Sequence, residues 1–453
     1  MQDQMQSEET TVSRRQLLTT AGVVGAGALV VGGVAGGVIG SQVGSDDGSS
    51  SSTTAGDQKP AASAKGTLVI GSPYPMSGPY AADGEQMTNG TQLAIDEINA
   101  AGGVAGRKLR HVVVDTDVGS PESVASSLNN LVNQKVDAIV GGYLQVDGPA
   151  YDIIPAYGAP YLHGNTIQAG VERVAQDPER YGMFFNVDPT EVWYGKGFPT
   201  FLDELAAGSS WKPASKTMSV IQGDLDYSMV ISKATQDAAK KAGWKITGVE
   251  KVVTPVNEWG PVLGKLRSQK PAIVYNAHPA PADQAAFMKQ FVANPTPALV
   301  YLQYGPSIPQ FLELAGSAAN GAIWATLVGN VGGRLGEAFT SSYEKQFNKP
   351  AGLANAPQGY DTIYMLANAW AMVGDPRDFK SVCGHLRTQR YRGVCGSFWM
   401  DQPGQYTSSF PAAIDDPSLG MPSLYLQVQD GEHKVIYPEP YAQAEFQMPP
   451  WMK

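Results

Sequence analysis

The sequence predicts an α/β fold in which two parallel sheets follow one another along the chain, each covered by helices. Three observations carry that expectation. Short apolar strands alternate with amphipathic helices over most of the chain, and the alternation restarts after Val187. The 453 residues include 51 glycines and 32 prolines, enough for the many tight turns such a path needs. Hydrophobic residues make up 43%, so a sizeable core can be buried, while charged residues reach only 16%. Average soluble chains carry roughly 25% charged residues, so long solvated helices and coiled coils are disfavoured. The length is about three times the ~150 residues of a typical domain, which predicts two or three compact units. A net charge of −10 argues against sequence-independent nucleic-acid binding, which needs a basic face.

Residues 1–65 read as an address and a tether. Residues 13–18 are Ser-Arg-Arg-Gln-Leu-Leu, and residues 21–40 form an uncharged run rich in Gly, Ala and Val. That pattern resembles a twin-arginine export signal. Twenty apolar residues span about 30 Å as a helix, so 1–40 is either a removed signal or an uncleaved membrane anchor. Residues 41–65 are Ser/Gly-rich, lack large apolar side chains and read as a flexible linker.

From Gly66 the elements follow in order. A strand at 67–71 is short and apolar. A helix at 83–101 carries Met87, Leu93, Ala94 and Ile98 at helical spacing and stops at Gly102-Gly103. A strand at 109–114, a helix opened by Pro at 121–133 and a strand at 136–140 come next. A short helix at 147–156 precedes a strand at 160–162. The second series runs helix 191–205, strand 217–222, helix 229–242, strand 246–252, helix 258–268 and strand 272–276. It continues with helix 282–292, strand 298–303 and strand 322–326, followed by helices at 337–347, 360–373 and 379–388. Two open sheets of this kind place a ligand beyond the carboxyl ends of their strands.

One set of motifs is recognisable. Residues 75–80 read Pro-Met-Ser-Gly-Pro-Tyr, with Gly84, Gly90, Ala94 and the run Ile98 to Leu109 behind them. Asp226-Tyr227 follows a strand, Gln358-Gly359-Tyr360-Asp361 opens a late helix, and Gly393, Gly396, Asp401 and Gly404 are spaced behind it. Together they resemble the branched-chain amino acid and amide group of type I periplasmic solute-binding proteins over residues 66–430. The resemblance implies two doubly wound parallel-sheet lobes joined by a three-strand hinge, closing over a small ligand and delivering it to an ABC permease. Lobe 1 is then expected at 66–187 plus 326–388, and lobe 2 at 188–325 plus 389–453.

The resemblance also nominates ligand contacts at Leu144 with Gln145, Asn165 with Thr166, and Tyr227. Asp83 stands where some relatives present an aromatic wall, Tyr304 where a carboxylate is expected, and His278 at a strand end facing the cleft, and these three are candidate contacts too. Backbone donors in the turns 142–147 and 163–167 are expected to meet a ligand carboxylate. Tyr227 is either a wall of the cleft or a half-buried aromatic at a helix start, and His278 either a contact or a structural hydrogen-bonder. Related amino-acid binders place a carboxylate after the strand equivalent to 298–303, where this chain has the neutral Gln303-Tyr304. Free amino acids are therefore expected to bind less well than an amide or a small carboxylic acid, unless Asp147 or Glu191 substitutes. Cys383 and Cys395, twelve residues apart, are expected to form a disulfide after export, the alternative being two structural thiols.

Catalytic signals are poor. The histidines at 111, 163, 278, 385 and 433 are scattered, and no nucleophile elbow, phosphate loop or metal-ligand spacing occurs. The sequence thus predicts a non-enzymatic binder with no cofactor and no metal, partnered by a small solute and a permease. A membrane-tethered sensor and an exported hydrolase are the alternatives.

Overall fold

The computed structural model describes residues 66–256 and 258–453. The export signal, the apolar run and the linker lie outside the described residues.

The first sheet is built by β1 (Thr67–Tyr74), β2 (Lys108–Asp115), β3 (Ala138–Val140), β4 (Tyr161–His163) and β5 (Phe184–Asn186), in the order β2-β1-β3-β4-β5 and parallel throughout. Between these strands run α1 (Ala81–Ala100), α2 (Pro121–Asn133), α3 (Gly148–Tyr157) and α4 (Gln168–Gln176). Helix α2 begins and ends where the sequence puts it, because Ser120 caps it through a bond from the Ser123 N–H (3.2 Å) and Pro121 fixes the first turn.

Chain crossing at 187–191 leads to the second sheet. Its parallel strands are β6 (Thr217–Gln222), β7 (Lys245–Lys251), β8 (Ile273–Asn276), β9 (Leu299–Gln303) and β10 (Ile323–Thr326). The accompanying helices are α5 (Val192–Gly208), α6 (Asp226–Lys241), α7 (Gly260–Gln269), α8 (Pro281–Ala293) and α9 (Pro309–Ala315). The chain then returns to the first sheet with α10 (Gly333–Phe347), α11 (Asn355–Val373) and α12 (Phe379–Thr388). Two short antiparallel strands, β11 (Arg390–Arg392) and β12 (Ser397–Trp399), follow. β13 (Ser409–Phe410) and β14 (Met421–Pro422) pair on the third crossing. β15 (Leu424–Gln429) and β16 (Glu432–Tyr437) close the second sheet antiparallel, giving the order β16-β15-β10-β9-β8-β6-β7.

Several elements differ from expectation. α4, β5, α9 and everything after residue 389 are absent from the sequence-predicted series. The strand at 67–71 extends to Tyr74 because its whole length pairs with β2. Residues 389–400, expected with the second lobe, pack with the first: Val394, Cys395, Phe398 and Met400 are buried in the same core as Ile70, Leu93, Ile363 and Trp370. The buried Asp361 of α11 secures that stretch by accepting the Val394 and Cys395 N–H groups at 2.9 and 2.7 Å. Cys383 and Cys395, expected as a disulfide, stand as free thiols in this structure, Cys395 buried and Cys383 half-buried. Burial pushes the Cys383 thiol up to about 12, and burial followed by the adjacent Asp361 carboxyl raises the Cys395 thiol as well.

Helices α1 and α11 cross where Gly90 meets the Ala356 carbonyl, and a Cβ at Gly90 would overlap that backbone oxygen. Gly90→Ala is expected to cost about 1–3 kcal/mol of stability, read as a lower urea midpoint with an unchanged m-value.

Candidate ligand-binding cleft

In both sheets the strand order reverses beside the first strand of the series, between β1 and β3 and between β6 and β8. The carboxyl ends at these switch points are where open α/β sheets bind ligands. From the first lobe the loops there present Asp83 at the start of α1, Tyr143 after β3, Asn165 after β4 and Asn355 at the start of α11. From the second come Tyr227 at the start of α6 and Tyr304 directly after β9.

Four of these side chains converge. Asp83 is 4% exposed. Its Oδ2 accepts the Tyr143 hydroxyl at 2.5 Å and the Tyr304 hydroxyl at 3.4 Å, and its Oδ1 accepts the Asn355 amide at 3.0 Å. The same Asn355 amide also donates to the Tyr304 oxygen at 3.2 Å. Tyr304 crosses from the second lobe to make these contacts, so the carboxylate joins both halves of the molecule. Burial drives the Asp83 carboxyl up to about 6, against the pull of the Tyr143, Tyr304 and Asn355 donors. All three donors are neutral. Tyr304 makes its reach from a backbone at φ 58°, ψ −45°, a conformation that costs of order 1–3 kcal/mol in a non-glycine residue and persists only where the surroundings enforce it.

Behind Tyr304, the second-lobe wall is a polar–aromatic chain. The fully buried Gln303 accepts the Tyr301 hydroxyl at 2.8 Å and donates to the Tyr227 oxygen at 3.0 Å. The Tyr227 ring meets Tyr194 edge-on, and the Tyr194 oxygen accepts the Leu327 N–H at 3.3 Å, at the start of the second crossing.

The other sequence-predicted residues divide. Asn165 is buried beside this cluster: its Oδ1 takes the Leu144 N–H at 2.9 Å, and its Nδ2 has no hydrogen-bond partner. Leu144 therefore serves as a packed residue with its amide spent, and the Gln145 and Val146 amides are spent on the Val118 carbonyl. Gln145 itself is exposed, its side chain lying toward Gly119. Thr166 returns its hydroxyl to the Asn165 carbonyl at 2.7 Å. His278 has no exposed surface, and its Nε2 pairs with Asp283 at 2.8 Å within the second lobe. That arrangement matches its structural alternative. Neither proposed substitute anion joins the cluster. Glu191 accepts the Gln168 N–H at 2.8 Å, while Asp147 lies against Gly170 at the start of α4. The carboxylate that meets Tyr304 is Asp83, on the opposite lobe from the expected anion. Tyr143 and Asn355 are residues the sequence reading missed; the only cue was the placement of each beside a strand end or helix start.

The periplasmic binding protein family model matches residues 67–411. The chain belongs to that family. A protein solved as a candidate branched-chain amino acid ABC transporter from Silicibacter pomeroyi is 36% identical, with a TM-score of 0.81 over 85% of this chain and all of that one. The leucine-, isoleucine-, valine-, threonine- and alanine-binding protein of Pseudomonas aeruginosa is 22% identical over 75% of this chain and 87% of its own. A solute-binding protein from R. palustris, solved with benzoate, shares the fold at 19% identity and a TM-score of 0.63, covering 82% of this chain and 95% of that one. These relatives are solute-binding proteins rather than enzymes, and the family works outside the cytoplasm.

A carboxyl whose folded pKa is raised binds its proton more tightly folded than unfolded. Its stabilisation is therefore present at low pH and lost as pH rises from its ordinary value of 3.8 to about 6. A shift of that size corresponds to roughly 3 kcal/mol. Without ligand, Asp83→Asn should melt higher than the natural protein at pH 8, and the two should converge toward pH 4.5. The five histidines, all lowered by burial, impose the opposite slope on both proteins and cancel in the difference. Thermal unfolding of both proteins across this range checks it.

Proposed function

We propose that this protein captures a small amino acid, amide or carboxylic acid between its lobes and hands it to an ABC permease. The observation that carries the reading is the meeting of Asp83, Tyr143 and Asn355 with Tyr304 across the lobes. Such a site is completed only when the two halves come together, which is what a hinged solute trap requires. The relatives support the same reading, since their described roles are binding and transport of branched-chain amino acids.

Three chain crossings act as the hinge in this reading. Export by the twin-arginine route, with residues 21–40 either removed or kept as an anchor, fits the Arg14-Arg15 pair and the uncharged run behind it. The linker 41–65 would then let the trap turn beside its permease.

Protein recovered after export should carry or take up a small solute, identified by mass spectrometry of the denatured sample. Re-adding that solute should raise the melting temperature by mass action, about 2.7 kcal/mol of stabilisation at one hundred times Kd. It should also shrink the radius of gyration in solution scattering. Tight binding without compaction would point to a rigid receptor instead.

A further inference from the structure

We propose that the first crossing is a proton-operated latch: the closed protein keeps a proton on the Asp188 and Glu191 side chains and gives it up as the lobes part, so that acid holds the trap shut. The inference rests on the reading of the crossings as a hinge and adds what controls it.

Asp188 and Glu191 stand three residues apart where the chain passes from the first sheet into α5, and they are 1% and 4% exposed. Asp188 Oδ2 accepts the Gln358 amide of α11 at 3.2 Å. Glu191 Oε2 accepts the Gln168 N–H at the start of α4 at 2.8 Å. Both partners belong to the first lobe, whereas Glu191 leads directly into α5 of the second. The two carboxyls therefore sit on the pivot itself.

Donors run short there. Asp188 Oδ1 is buried without a partner. So is Oδ1 of Asn186, whose amide nitrogen donates to the Asp188 carbonyl at 2.7 Å. An ionised Asp188 leaves buried acceptor oxygens on neighbouring side chains and no donor for either. A proton on the carboxyl supplies a donor that the group lacks. No cation compensates: among the described residues, no ion pair reaches Asp188 or Glu191. Two like charges buried on one short segment without a counter-charge are costly.

The surroundings act in the same direction. Around Asp188 stand the Tyr194 phenol of α5 and the Cys395 thiol between β11 and β12, with Asp361 of α11 on the cysteine backbone. Glu191 faces Asp147, ahead of α3, and Glu172 of α4. His163 of β4 pairs in register with Asn186, but burial lowers it to about 3 and keeps it neutral. The one cation nearby, Arg173, lies over the Tyr151 ring and acts on Asp147. Burial pushes Glu191 up to about 7 and Asp188 well above the usual carboxylate range, and acidic neighbours raise both further.

Parting the lobes lets water reach the crossing and returns both groups toward their ordinary values of 3.8 and 4.5. The open form then binds fewer protons than the closed one. Between 4.5 and about 7 the open-to-closed ratio therefore rises with pH. The rise is at most about tenfold per pH unit for each proton released.

The test is solution scattering of the full chain from about pH 5 to pH 8, first without solute and then with leucine or benzoate added as probes. The natural protein without solute should expand as pH rises. Asp188→Asn and Glu191→Gln should each flatten that profile and stay compact at the alkaline end. Asp83→Asn, which leaves the crossing intact, should still expand, and this keeps the proposal falsifiable if neither crossing variant folds. A radius of gyration indifferent to pH, crossing variants that keep the natural profile, or a profile lost in Asp83→Asn would overturn the latch. A probe that compacts the protein in any of those cases would leave the hinge standing without it. A probe that binds by calorimetry without changing the size would overturn the hinge reading as well.

Discussion

A single buried carboxylate, Asp83, is shared by the two lobes across the cleft. Asp83 is buried, costly to ionise and tied to three hydroxyl and amide donors, one of which arrives from the opposite sheet. Asp83, at the start of α1, and Tyr304, directly after β9, meet through the Tyr304 hydroxyl at 3.4 Å.

Polar and aromatic contacts tie the cleft wall to the crossings. Tyr194 meets Tyr227 in the cleft wall and takes the Leu327 N–H at the start of the second crossing. On the first crossing, Asp188 accepts the Gln358 amide at 3.2 Å, and its other oxygen has no partner. Burial and the nearby Glu191 both raise the Asp188 carboxyl. The third crossing is joined to the first by Asn186, whose N–H donates to the Gln405 carbonyl at 2.9 Å. Polar bonds of this kind change partners with little loss of buried apolar area, which suits a hinge better than a close-packed core does.

Much of the fold was legible because local signals and tertiary packing agree. Helix α2 has its own cap and proline, and α12 its Asp378 cap, so both ends could be read directly. The strands after residue 389 were not legible. β15 pairs with β10 across a separation of about one hundred residues, and nothing within 424–429 names that partner. Sequence spacing also says nothing of the Asp361 carboxylate that engages the Cys395 backbone. In the site, the structure joins Asp83 to Tyr304 directly, while the Asn165 side chain is engaged by the Leu144 N–H. The residues after β9 are neutral, as the sequence says, and the carboxylate that meets Tyr304 comes from 221 residues away on the other lobe. Backbone turns expected to offer free amides spend them internally at Leu144, Gln145 and Val146, which only the three-dimensional bonding reveals.

The most direct measurement of the central claim is a double-mutant cycle between Asp83 and Tyr304 in the ligand-free protein, using Asp83→Asn, Tyr304→Phe and the combined variant in urea unfolding. If the carboxylate and phenol act as one unit across the cleft, the cycle should give a coupling of about 0.5–3 kcal/mol. Effects that add to within about 0.3 kcal/mol would show that the two groups act independently and contradict the account.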